Sequence, residues 1–162
     1  MIVNSMNIRR ASLADARAVS ELILGLSTPF FVQSDRAGAE PFLAAISESA
    51  VQGYISATNF QYFIAESGHE LVGVVALRDN SHLYHLFVAE QFQGQGLARE
   101  LWNFAKSLAD HAGNPGMYTV NSSLNAVQVY DRFGFRVNGP EVQMHGVAFQ
   151  PMQLLDSKMS GI

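Results

Sequence analysis

The run from His82 to Trp102 constrains this chain more than any other stretch. Residues 82–88, His-Leu-Tyr-His-Leu-Phe-Val, are apolar and aromatic, as suits a buried strand. From Leu97 the period changes, and Leu97, Leu101, Phe104 and Leu108 recur at helical spacing. Between the two lies Gln93-Gly94-Gln95-Gly96. Two glycines at a helix start let the backbone turn tightly and approach a ligand closely. The first-turn amides have no partner within the helix and carry the positive end of its dipole. Strand, glycine turn and helix in that order suit a phosphate or pyrophosphate. Other phosphate loops fit less well. No Gly-Lys-Ser/Thr is present for a P-loop, and Arg99 stands where a dinucleotide fingerprint that includes Gly94 and Gly96 needs its third glycine.

The flanking sequence supplies the rest of a sheet. Residues 61–66 and 71–77 read as strands around a Ser67-Gly68-His69 turn, and Arg78–Ser81 turns into the strand at 82–88. Consecutive strands with short turns form an antiparallel meander, because parallel partners need long crossovers. The helix from Gly96 stops near Gly113-Asn114-Pro115. The next strand, 117–121, follows a helix and can run parallel to 82–88. A parallel pair inside an antiparallel sheet leaves room for the two strands to splay. Upstream, residues 6–11 form a first strand, and Ser12 with Asp15 forms a capping box for a helix whose apolar face is Ala16, Val19, Leu22, Ile23 and Leu26. Residues 27–39 are irregular and hold the adjacent aromatics Phe30 and Phe31. A helical region spans about 40–58, with Gly53 expected to divide it. Ser123 can cap a short helix that Gly134 ends, and residues 136–155 read as two more strands. Alternation on 82–88 puts His82, Tyr84, Leu86 and Val88 on one face and His85 on the other.

Composition narrows the class. The chain has 162 residues, 48% hydrophobic and 15% charged, which predicts a single globular domain over 1–162. No run is long enough to span a bilayer and no basic-then-apolar leader is visible, so the expected location is cytoplasmic with no membrane partner. The chain has no cysteine, which excludes disulfides and thiolate chemistry, and no histidine grouping has metal-ligand spacing, so no metal is expected. A net charge of −4 disfavours nucleic acid as a partner.

Gln91-x-x-Gly94-x-Gly96 and Gln93-x-x-Gly96-x-Ala98 both satisfy Gln/Arg-x-x-Gly-x-Gly/Ala, and the second register is preferred for the Val88 and Phe92 that precede it. The stretch resembles the acetyl-CoA pyrophosphate loop of the GNAT superfamily of N-acetyltransferases, with Gln93 replacing the commoner Arg. Asn121–Phe135 resembles a second superfamily segment, Asn-x-x-Ala-x-x-x-Tyr-x-x-x-Gly-Phe: Ala126, Tyr130, Gly134 and Phe135 fall in register, while Ser123 replaces the usual Asn. The resemblance implies an α/β (α+β) GNAT-like acyl-CoA acyltransferase fold, a mixed, mostly antiparallel sheet of about six or seven strands flanked by helices. It implies acetyl-CoA as co-substrate, held by Gln93, Gly94, Gln95, Gly96, Leu97, Ala98 and Arg99 at the phosphates, by the backbone of Phe87 and Val88 along the pantetheine arm, and by Asn121 or Asn125. Amine acetylation needs proton removal, stabilisation of the oxyanion and a proton for the leaving thiolate. The resemblance implies that Tyr130 is the general acid, with an unperturbed pKa of about 10, and that His82 is the candidate base. Phe30, Phe31, Tyr84 and His145 are expected to border an acceptor site for a primary amine of a small molecule, with a homodimer a common assembly in the superfamily. Two alternatives are a non-catalytic acyl-CoA-sensing domain and a protein (lysine or N-terminal) acetyltransferase. A third, an interaction protein using a sheet edge, predicts no CoA affinity.

Overall fold

A computed structural model describes residues 6–156. Strands β1 (Met6–Arg10), β2 (Phe60–Ser67), β3 (Glu70–Arg78) and β4 (His82–Val88) pair antiparallel in sequence order. Chemistry at the turns enforces this. The β3–β4 turn places Asp79 and Asn80 at φ 54° and 58°, and the Ser81 N–H donates to the Arg78 carbonyl at 3.1 Å. Two successive positive φ values suit the right-handed twist of a tight hairpin.

The chain then crosses over through α4 (Leu97–His111) to β5 (Met117–Ser122), which lies parallel to β4. The tail breaks into β6 (Arg136–Val137), β7 (Val142–Met144) and β8 (Val147–Leu155), giving an eight-stranded sheet rather than six or seven. The extra strand arises because Gly139-Pro140 interrupts pairing, so that β6 and β7 meet different parts of β8. Along the path the order is β1-β2-β3-β4-β5-β8-β6.

Each face of the sheet buries a separate apolar layer. On one, α4 contributes Leu97, Leu101, Trp102 and Ala105, and the Trp102 ring meets Tyr118 and Phe135 at 5.2 and 5.4 Å. On the other, α1 (Ala16–Gly25) and α3 (Glu48–Ser56) cover Ile64, Val74 and Ala76. The helical region 40–58 does divide, but at Ile46–Ser47 rather than at Gly53. It gives α2 (Glu40–Ala45) and α3, because Ser47 caps α3 by accepting the Ala50 N–H at 3.2 Å. Gly53 lies inside α3, where a side chain would meet nothing within 4 Å.

Strand β4 departs from simple alternation. Its register against β3 passes from Leu77↔Leu83 to Ala76↔His85, so Tyr84 is an extra, bulged residue. One inserted residue flips everything that follows. His82, Tyr84, His85 and Phe87 therefore look toward the α1–α3 layer, while Leu83, Leu86 and Val88 look toward α4. The expected pairing of His82 and Tyr84 with Leu86 and Val88 is thus corrected.

Candidate active site

Strands β4 and β5 are paired only at His82↔Thr119 and Leu83↔Val120. Beyond that point β5 continues with β8 alone, and a V-shaped gap opens. The gap widens into a cleft of about 740 Å³ that runs between the start of α4 and helix α5 (Val127–Arg132).

The backbone along the gap follows from the bulge. The Ser81 carbonyl faces β5 and accepts the Thr119 N–H at 3.0 Å, whereas the Ala89 N–H faces β3 and donates to Val72 at 2.8 Å. In an unbroken strand, residues an even number apart face the same neighbour. The bulge reverses this once, so Phe87 directs its backbone groups to β3, and Leu86 and Val88 direct theirs into the gap. The expected backbone pair Phe87 and Val88 becomes Leu86 and Val88, while Phe87 still lines the cleft. The Val88 carbonyl accepts the Gln93 Nε2 at 2.9 Å, which ties the glycine turn to the strand end.

That turn has the geometry an anion needs. Gly94 and Gly96 lie at φ 76° and 85°, and a side chain at either would meet nothing within 4 Å. Gly96 caps α4, leaving the first-turn amides free of intrahelical partners. Gln93, Gly94, Gly96, Leu97, Ala98 and Arg99 line the cleft. Gln95 does not: its Nε2 donates back to the Gln91 carbonyl at 3.2 Å. Two arginines flank the mouth. Arg99 lies over the Phe133 ring at 5.0 Å, and Arg132 lines the cleft from α5. Sequence reading missed Arg132. Its signal was the α5 face Ala126, Val129, Tyr130 and Phe133, at helical spacing and all in the lining.

Tyr130 stands opposite, 8% exposed. Helix α5 ends at Phe133 with Gly134 at φ 104°; the Gly134 N–H donates to Asp131 and the Phe135 N–H to Tyr130, both at 3.0 Å. This paired C-terminal closure brings the Phe135 ring to 5.8 Å from Tyr130 and fixes the phenol. Burial pushes the phenol pKa upward, so it is protonated at neutral pH. Ser123 does not cap the helix, which begins four residues later. Its hydroxyl donates to Asn125 Oδ1 at 2.7 Å, and Ser123, Asn121 and Asn125 all line the cleft.

The remaining candidates separate. Phe30 and Tyr84 line the cleft. Phe31 does not; it bridges to Val147 and packs edge-on to Phe42 at 5.6 Å. His145 sits exposed in the β7–β8 turn at φ 51°, outside the cleft, because a tight turn there needs a left-handed residue and His tolerates that region. His82 lies at the closed end of the V, with Nδ1 2.7 Å from Thr119 Oγ1, and is not part of the lining. Burial, with Arg78 adding to it, lowers its pKa to about 4. His85 is buried against the Tyr62 hydroxyl at 2.8 Å, and burial lowers its pKa to about 3.

A strand, glycine turn and helix set beside a V-shaped gap in a mixed sheet is the arrangement that the resemblance to the GNAT superfamily implies. A family model described as an acetyltransferase (GNAT) domain matches residues 32–155, and the chain belongs to that family. Rat N-acetyltransferase family 8 member 2 is 30% identical over 108 residues, covering 60% of this chain and 46% of that protein. Mouse N-acetyltransferase 8 is 30% identical over 99 residues, covering 54% of this chain and 44% of that protein. The chain thus spans less than half the length of these curated relatives.

Solved structures share the fold. A GCN5-related N-acetyltransferase from Rhodopseudomonas palustris superposes with a TM-score of 0.77 at 20% identity, covering 96% of this chain and 98% of that one. Spermidine N-acetyltransferase from Vibrio cholerae, in complex with CoA and spermine, gives 0.67 at 20% identity over 96% and 98%.

Proposed function

We propose that this protein transfers an acetyl group from acetyl-CoA to a primary amine of a small-molecule acceptor, by direct attack, with residues 1–162 acting as one catalytic domain. The observation that carries the reading is that the glycine turn, the splayed ends of β4 and β5, and Tyr130 all open into one cleft. The lining suits the co-substrate: glycines with open space above them for phosphates, unpaired strand edge for an extended amide-bearing arm, and two arginines for the phosphate charge.

Bound there, acetyl-CoA supplies an activated acyl group. The chain's own residues do the rest. The first-turn amides of α4 hold phosphate oxygens, and Arg99 and Arg132 neutralise charge that Gln93 leaves uncompensated. The Leu86 and Val88 backbone N–H groups face the gap, where one can donate to the acyl oxygen as negative charge develops on it. Tyr130, held neutral by burial, donates its proton to the departing sulfur. The amine's proton leaves to water in the open cleft, because neither His82 nor His85 lines it and burial has lowered the basicity of both.

The test is free-thiol release from acetyl-CoA with a panel of primary amines, run beside Tyr130→Phe, with CoA affinity measured by calorimetry on both proteins. The expected result is a kcat loss of about a hundredfold or more with CoA affinity unchanged. Failure of the native chain to bind CoA, or a variant with undiminished kcat, overturns the reading.

A further inference from the structure

The acceptor arm of the cleft has a composition that the co-substrate does not explain. It is lined by Gly25 and Leu26 at the end of α1, Pro29 and Phe30 in the turn that follows, and Tyr84 at the β4 bulge. Phe30 is braced by Phe42, with ring centroids 5.5 Å apart. Tyr84 is braced edge-on by Tyr54 and Phe60 at 5.1 and 5.3 Å. None of these groups is acidic. Among the described residues, the carboxylate lining the cleft is Glu90, which lies past Val88 at the start of the phosphate turn. The Arg78 guanidinium lies 5.2 Å from the centroid of the Tyr84 ring and pairs with Asp79 at 3.7 Å.

One polar atom in this arm is wired in a definite sense. The Tyr54 hydroxyl donates its single proton to the Ala45 carbonyl at 2.7 Å. It lies 3.0 Å from the Tyr84 hydroxyl, so in that contact Tyr54 must accept and Tyr84 must donate. The Tyr84 proton is thereby committed, and its oxygen keeps only lone pairs for a further partner. Such an atom takes an N–H from a ligand and gives none back.

From this lining we infer that the acceptor is an amine bearing a single positive charge on an apolar or aromatic body, and not a polyamine. The body packs against Leu26, Pro29 and Phe30, and an amine N–H donates to Tyr84 Oη. A polyamine would carry further ammonium groups into an arm lined by no carboxylate, at a desolvation cost nothing there offsets. A phenyl group gains from the same surfaces. The inference rests on the acetyl-transfer reading.

The test compares 2-phenylethylamine with spermidine as acceptors for the full chain at saturating acetyl-CoA, with thiol release as readout and CoA affinity measured on the same preparation. The expected kcat/KM ratio favours 2-phenylethylamine by about tenfold or more, the scale of one buried apolar group. Tyr84→Phe keeps the ring and removes the oxygen. It should raise KM for 2-phenylethylamine about fivefold, the worth of one neutral hydrogen bond, with KM for acetyl-CoA unchanged. Phe30→Asp places a carboxylate in the arm and should move the preference toward spermidine. Efficient turnover of spermidine by the native chain, with 2-phenylethylamine no better, overturns the acceptor class and leaves acetyl transfer standing. Turnover of another amine of the panel with none of 2-phenylethylamine overturns the acceptor class alone, and CoA binding with no turnover of any amine of the panel overturns both. An unchanged amine KM in Tyr84→Phe overturns the role of its oxygen.

Discussion

His85 and Tyr130 show how burial gives side chains of one strand and one short helix different chemistry. Tyr130 is kept protonated in the lining of the cleft, whereas His85 is kept neutral beneath Tyr62, away from the cleft. The pH consequence has a definite sign. The unfolded chain binds protons at His82 and His85 below the ordinary histidine value of about 6.5. In the fold His82 takes up a proton only near pH 4 and His85 near pH 3. Between these limits acid protonates only the unfolded chain, so stability is full above about pH 6.5 and falls as pH drops toward 4. His85→Gln should therefore lose less melting temperature than the native chain between pH 7 and pH 4.5, whatever its starting value. A thermal scan at both pH values checks this, and an equal or steeper loss in the variant refutes it. These residue types were visible in sequence. Their protonation was not, because it depends on which neighbours cover them.

At the scale of elements, one device shapes the cleft and another fastens the tail to the loop between α1 and α2. The first is the bulge at Tyr84. Without that extra residue, Leu86 and Val88 would hydrogen-bond to β3 and the gap would face the backbone groups of Phe87 instead. The second is the β7–β8 turn, which docks on the loop between α1 and α2. A side chain at Gly146 would stand 2.5 Å from the Ala37 carbonyl oxygen and 2.7 Å from the Ala39 nitrogen, and the Gly146 carbonyl accepts the Val32 N–H at 3.0 Å. Backbone atoms cannot yield as a flexible side chain can. Gly146→Ala should cost about 3 kcal/mol or more by urea denaturation. Gly68→Ala has an equally left-handed φ of 64° but open space around it, and should cost only about 1 kcal/mol. Equal costs would refute the docking argument. The partner of this turn was not legible in sequence, because the contact crosses more than a hundred residues.

Over the whole molecule, the cleft joins three separate parts of the chain: the α1–α2 loop, the β4–α4 junction and α5. A ligand filling it ties both apolar layers to one site. CoA at about a hundred times its dissociation constant should stabilise the fold by about 2.7 kcal/mol. For a chain of this size that is a rise in melting temperature of about 5 to 10 °C. A shift that is absent at saturating CoA refutes the assignment of the cleft. Among the described residues no helix is long and apolar enough to cross a membrane.

The features legible in the chain alone are those that short-range physics sets. Glycines at 94 and 96, a switch from strand to helical period at Leu97, turns too short for anything but hairpins, and the Tyr130–Phe135 closure each act within a few residues. They specify the glycine turn, the meander and the place of the phenol without help from distant segments. Which residues meet in the cleft was settled by tertiary contacts. One bulged residue reassigned the faces of β4, Arg132 entered the lining while His82, Phe31 and His145 left it, and the tail divided into three strands. Those outcomes depend on register and burial, which are set by contacts between distant segments and leave no periodic trace in the chain.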